Sequence, residues 1–181
     1  KKQNLLRRYR DGDARYSGTL DDYAFLIHGL ITLYESDFDP DWIRWATELQ
    51  KKQDQLFWDT EGGGYFTSGP EEKSLLLRRK ESPDGALPSG NSIAALNLLQ
   101  LFGLTYEKSY QDRAATLLAW MAGELAQYPA GFAQGLIAID FSLDRSKEIV
   151  VAGKKGDPKM EEIRRYLHQS FLPNEVSLIG G

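Results

Sequence analysis

Two stretches of this sequence are apolar on nearly every helical face, and each is followed by a stretch apolar on one face only. The first, TLDDYAFLIHGLITLYE, spans residues 19–35; the second, SGNSIAALNLLQLFGL, begins near Gly90 and ends near Leu104. A helix at a surface keeps a polar stripe, so helices without one are expected to be covered on both sides. Their companions are different. Residues 41–58, DWIRWATELQKKQDQLFW, gather Trp42, Trp45, Leu49 and Leu56 on one side and charges opposite, and residues 107–128 are likewise amphipathic. Covered helices alternating with half-wet ones are what concentric rings of helical hairpins require. Two hairpins and a further short apolar helix over residues 129–141 are too few to close such a ring, so the pattern predicts part of a barrel.

The ends differ from this body. Residues 1–10, KKQNLLRRYR, read as a weakly helical basic segment continuing something that begins earlier, broken by the turn formers of DGDARYSG. After the first hairpin, GGYFTS is expected to form a short strand. The last stretch predicts a strand (KEIVVAG), a helix opened by Asp157 and Pro158, and a second strand (EVSLIGG). A helix-length crossover makes those two strands parallel. The expected fold is therefore mainly α, a partial (α/α)6 barrel over residues 1–143 with a small β-α-β appendage over residues 144–181.

Composition removes several kinds of chemistry. With no cysteine, there are no disulfides, thiolate nucleophiles or Cys-ligated metals. Only His28 and His168 offer imidazoles, and no metal site or cofactor is expected. A net charge of −4, spread thinly along the chain, argues against a dedicated nucleic-acid binder. No apolar run reaches membrane-spanning length and the N-terminus is not a signal peptide, so a cytoplasmic location is expected. GGG lacks the Lys-Ser/Thr of a phosphate cradle, and Gly153-x-x-Gly156 is only a weak echo of a nucleotide loop.

The segments LDDYAFLIHGLITLYE, LFWDTEGGGYFTS, KESPDGALPSGNSIAALNLL and EIVVAGKKGDPKMEEIRRYLHQSFLPNEV occur in that order. They resemble the C-terminal portion of the spermatogenesis-associated protein 20 family and its bacterial YyaL relatives, DGALPSGNS being the most specific piece. The resemblance implies an N-terminal thioredoxin-like domain followed by an (α/α)6 barrel similar to six-hairpin glycosidases and to N-acylglucosamine and cellobiose 2-epimerases. It implies that a thioredoxin-like domain and a first barrel half, absent from these residues, are partners in the full-length chain. It further implies a sugar ligand, with hydrolysis or epimerisation as the reaction. A non-catalytic helical scaffold or partner-binding module is the alternative.

Against that frame the candidate catalytic residues are Asp21, Asp22 and Asp84, each at the entrance of an apolar helix. Glycoside hydrolysis needs two carboxyl groups, about 5–5.5 Å apart for retention or about 6.5–9.5 Å for inversion. The same acids are also ordinary helix caps and dipole partners, and Asp-Gly is an ordinary turn. Arg15 and Tyr23 are candidate substrate binders, as are Ser89 and Asn91 at the mouth of the second covered helix. Trp58, Tyr65 and Phe66 could stack on sugar rings or simply fill core and rim. His28 lies two turns beyond Asp21, where a general base is conceivable, although a core histidine is the plainer reading. Finally, covered helices without a cover predict an apolar face that pairs with another copy of the chain.

Overall fold

The computed structural model describes residues 4–71, 77–144, 147–154 and 157–180. The body is two layers of helix. The covered stretches become α1 (Leu20–Asp37) and α3 (Gly90–Thr105), and their companions become α2 (Pro40–Phe57) and α4 (Lys108–Gln127). The short apolar stretch divides into a 3-10 turn, Pro129–Gly131, and α5 (Ala133–Leu143), because Phe132 adopts φ −137° between them.

Helices α1, α3 and α5 lie side by side and run in one direction. At one end Asp21 of α1 abuts Gly90 of α3, and Gly135 of α5 lies near Ser92 of α3. At the other end Tyr34, Gly103 and Asp140 all meet residues 174–177. Helices α2 and α4 form the second layer and are joined by the Asp54–Arg113 ion pair. Leu98, Leu101, Leu117, Met121 and Phe57 are sealed in the core between the layers.

Helix α3 is covered as its sequence predicts, with ten of its sixteen residues buried. Helix α1 is not: Gly29, Thr32 and Leu33 face outward, Leu33 at 45% exposure. The reason is position. Helix α3 sits between α1 and α5, whereas α1 is at the edge of its row.

The N-terminal segment corrects the helical expectation. Residues Leu6–Arg10 form β1, paired antiparallel with β2 (Asp13–Ser17) in the register Arg8↔Arg15 and Arg10↔Asp13. Asp11 (φ 53°) and Gly12 (φ 80°) supply the two left-handed residues of a two-residue hairpin turn. The GGYFTS strand is also not formed. Only a Trp58↔Tyr65 bridge remains, since Gly63 and Gly64 take positive φ and the Tyr65 amide is claimed by a side chain.

At the opposite end, β3 (Lys147–Ala152), α6 (Pro158–Gln169) and β4 (Glu175–Gly180) build the expected parallel β-α-β unit, in register from Lys147↔Glu175 to Ala152↔Gly180. Asp157 caps α6 by accepting from Lys159 N, with Pro158 in the first turn. The unit docks on the C-terminal ends of the inner row. Val176 fills the space over Gly103, Tyr34 donates to Ser177 O at 3.1 Å, and His168 stacks on Phe38. Gly156 of the nucleotide-loop echo lies outside the described residues. No helix of the described residues is long and apolar enough to cross a membrane.

Candidate functional site

The N-terminal ends of α1, α3 and α5 converge, and the three candidate carboxylates converge with them. Each first turn leaves backbone N–H groups without intrahelical partners, so acceptors are drawn there. Asp22 reaches back to the helix entrance: its Oδ2 accepts from Thr19 N at 2.7 Å and from Thr19 Oγ1 at 2.8 Å. Arg7 Nε stands 3.7 Å from the same oxygen. Asp84 serves two helices at once. Its Oδ1 accepts from Ser89 N at 2.8 Å, and its Oδ2 from Gln134 N at 2.8 Å and Gly135 N at 3.2 Å.

Asp21 is used differently. Its residue is exposed, yet its carboxyl turns toward α3, where a Cβ on Gly90 would lie 2.4 Å from Asp21 Oδ1. Only glycine allows that approach. Partial burial pushes the Asp21 carboxyl above the usual range, and the charges of Glu81 and Asp22 add to the rise, while the Gly90 amide opposes it.

Ser89 and Asn91 are internally satisfied. Ser89 is the N-cap of α3, its Oγ accepting from Ser92 N at 3.1 Å and donating to Ser82 O at 3.0 Å. Asn91 is fully buried and ties the loop before it to the helix. It accepts from Tyr65 N at 2.8 Å and donates to Tyr65 O at 3.0 Å and Glu81 O at 2.9 Å.

The aromatic candidates follow the same pattern. Tyr23 is buried, with its hydroxyl accepting from Leu5 N at 2.8 Å and its ring edge-to-face with Phe57. Tyr65 is buried and donates to Asp54 Oδ1 at 2.6 Å, with Trp58 edge-on at 4.9 Å. Phe66 lies beneath the Arg78 guanidinium at 4.2 Å. Arg15 stands apart, exposed on β2 and paired with Asp13.

Sequence reasoning missed the group behind Tyr65. Asp54 also accepts from Gln50 Nε2 at 2.8 Å and pairs with Arg113 at 2.7 Å. Burial pushes its carboxyl up, opposed by Tyr65, Arg113 and Gln50. Gln50 and Asp54 fall on the charged side of the α2 pattern, QKKQDQ, where periodicity reads them as wet. The two histidines meet different groups. His28 lies between α1 and α3, its pKa lowered by burial with Asn97 opposing, while His168 meets Glu35 O beyond the other end of α1.

Clefts flank the inner row. One of about 920 Å³ lies between the end of α1 and the β-α-β unit; one of about 720 Å³ lies under the hairpin beside Thr19 and Tyr23. Asp21, Asp22 and Asp84 line neither. Among the described residues no three His, Asp or Glu side chains are grouped as a metal site.

The molecule is thus a two-layer array of helical hairpins whose inner-row entrances are closed by their own carboxylates. No family model matches the chain. It is 37% identical over 163 residues, 90% of its length, to human spermatogenesis-associated protein 20, and 39% identical over 166 residues to the rat protein. It is 33% identical over 154 residues to an uncharacterised Caenorhabditis elegans protein. The chain belongs to the spermatogenesis-associated protein 20 family, and it spans about a fifth (21%) of the length of these relatives.

Proposed function

We propose that this part of the family protein is a helical scaffold, with the inner row α1, α3 and α5 forming one side of an (α/α)6 ring whose open face is covered by protein. The observation that carries the reading is Asp84, whose two oxygens accept three backbone N–H groups from two inner helices. A carboxylate so engaged is committed to holding two helix ends together, and Asp22 commits its Oδ2 to Thr19 in the same way at one entrance. Exposed Leu33 on α1 and Ile137 on α5, at 45% and 50%, supply apolar contacts for the cover. The test is the stability of the Asp84→Asn and Asp22→Asn variants. A scaffold loses stability at Asp84 because an amide cannot accept from both helix ends, whereas a catalytic Asp84 would lose only turnover.

A second reading, sugar chemistry, is favoured by one observation. Asp21 keeps a carboxyl raised by partial burial and by neighbouring Glu81, at the end of the ring where inner-helix entrances meet. A raised carboxyl suits a general acid. The assay is the full-length family protein and its Asp21→Asn variant on glycosides and reducing sugars; equal turnover in both removes Asp21 from the chemistry.

A further inference from the structure

The cleft of about 720 Å³ beneath the hairpin is of small-molecule size and has a built electrostatic character. Four arginines decorate the hairpin. Arg10 pairs with Asp11, Arg15 with Asp13, and Arg7 stands 3.7 Å from Asp22; among the described residues Arg8 alone has no carboxylate within ion-pair distance. Both Arg7 and Arg8 line the cleft, against one lining carboxylate among the described residues, Glu71. Arg8 is held over the Tyr16 ring, its Cζ 4.9 Å from the centroid.

Tyr16 is itself the second observation. It sits inside β2 at φ 65°, a left-handed conformation that a bulky residue adopts only under strain. The ladder continues on either side of it, Arg8↔Arg15 and Leu6↔Ser17, so the strain is confined to the residue that carries the ring. Ser68 on the far wall has a buried Oγ with no hydrogen-bond partner among the described residues. Two guanidinium groups and an unpartnered hydroxyl together match an oxyanion with several acceptor oxygens.

We infer that this cleft binds a small molecule bearing a phosphate monoester, with Arg8 as the principal phosphate contact and Arg7 as its second. Tyr16 positions Arg8 and offers a face to the uncharged part of the ligand. The experiment is isothermal titration of the protein with glucose 6-phosphate, with glucose and malonate as comparison titrants. Saturable binding of glucose 6-phosphate on the order of millimolar or tighter is expected. Arg8→Gln is expected to weaken it about tenfold or more, Arg8→Lys less because an ammonium lacks the fork, and Arg10→Gln hardly at all. Thermal melts of each variant check that the exposed substitutions leave the fold intact. Absence of saturation by glucose 6-phosphate overturns the proposal. So does an equal loss in Arg8→Gln and Arg10→Gln, which would make binding general surface charge. Malonate binding as tightly as glucose 6-phosphate overturns the phosphate assignment.

Discussion

Replacing Asn91 by alanine tests the network that joins the loops to the inner row. Asn91 is fully buried and makes three hydrogen bonds, two to Tyr65 backbone and one to Glu81 O. A buried polar group left without its partner costs about 1–3 kcal/mol. Tyr65 is also fully buried, so its N–H and C=O bear that cost, whereas exposed Glu81 can turn its carbonyl to water. The expected loss is about 3–5 kcal/mol, a large part of the roughly 5–15 kcal/mol that holds a domain together. With a urea slope of about 2 kcal/mol/M, the midpoint should fall by about 2 M. Urea unfolding followed by tryptophan fluorescence reads the change directly, since Trp58 bridges to Tyr65. A loss under about 1 kcal/mol would refute the reasoning, because it would mean that the Tyr65 backbone does not depend on this side chain.

Three further outcomes are expected. Gly64→Ala should cost about 2–4 kcal/mol in thermal melts, since the residue sits at φ 76° and its new Cβ would meet the Trp120 ring at 2.7 Å; Gly12→Ala, at φ 80° in open space, should cost only about 1–2. Asp59 is held down to about 2 by its hydrogen bond from Lys80 and by the Gly62 and Glu61 amides, below the unfolded value of about 3.9. Its contribution is therefore present above about pH 4 and lost as pH falls toward 2, and Asp59→Asn should flatten an acid titration of stability across that window. Arg113→Met should cost about 2–3 kcal/mol by urea unfolding, because Asp54 keeps a side chain only 14% exposed and loses its cation.

How far the sequence reveals this molecule differs by element. Helices α1, α2, α3 and α6 are legible twice over, by period and by the cap residues Thr19, Asp39, Ser89 and Asp157 at their entrances, whereas α4 and α5 show only their apolar pattern. The parallel β-α-β unit is legible because a helix-length connection permits little else. The hairpin is not, since its strands are short and arginine-rich, and only the Asp11–Gly12 turn marks it. The carboxylates are legible as important positions but not in role, because an aspartate at a helix entrance can cap it or face a cleft with the same neighbours in sequence. What separates the two is a partner far along the chain: Gln134 and Gly135 for Asp84, and Gly90 beside Asp21. The Asp54 group escapes for the same reason, since Arg113 and Tyr65 approach it from other elements.

The scaffold account rests on Asp84 most directly, and urea unfolding of Asp84→Asn against the wild type is its sharpest test. The amide keeps one acceptor oxygen. If that oxygen stays on Ser89 N, the NH2 group is set against the Gln134 and Gly135 amides, donor to donor. The account predicts a loss of about 2–3 kcal/mol, the worth of the charged hydrogen bonds removed at one helix entrance. Stability equal to the wild type would contradict it, and would leave Asp84 free for chemistry.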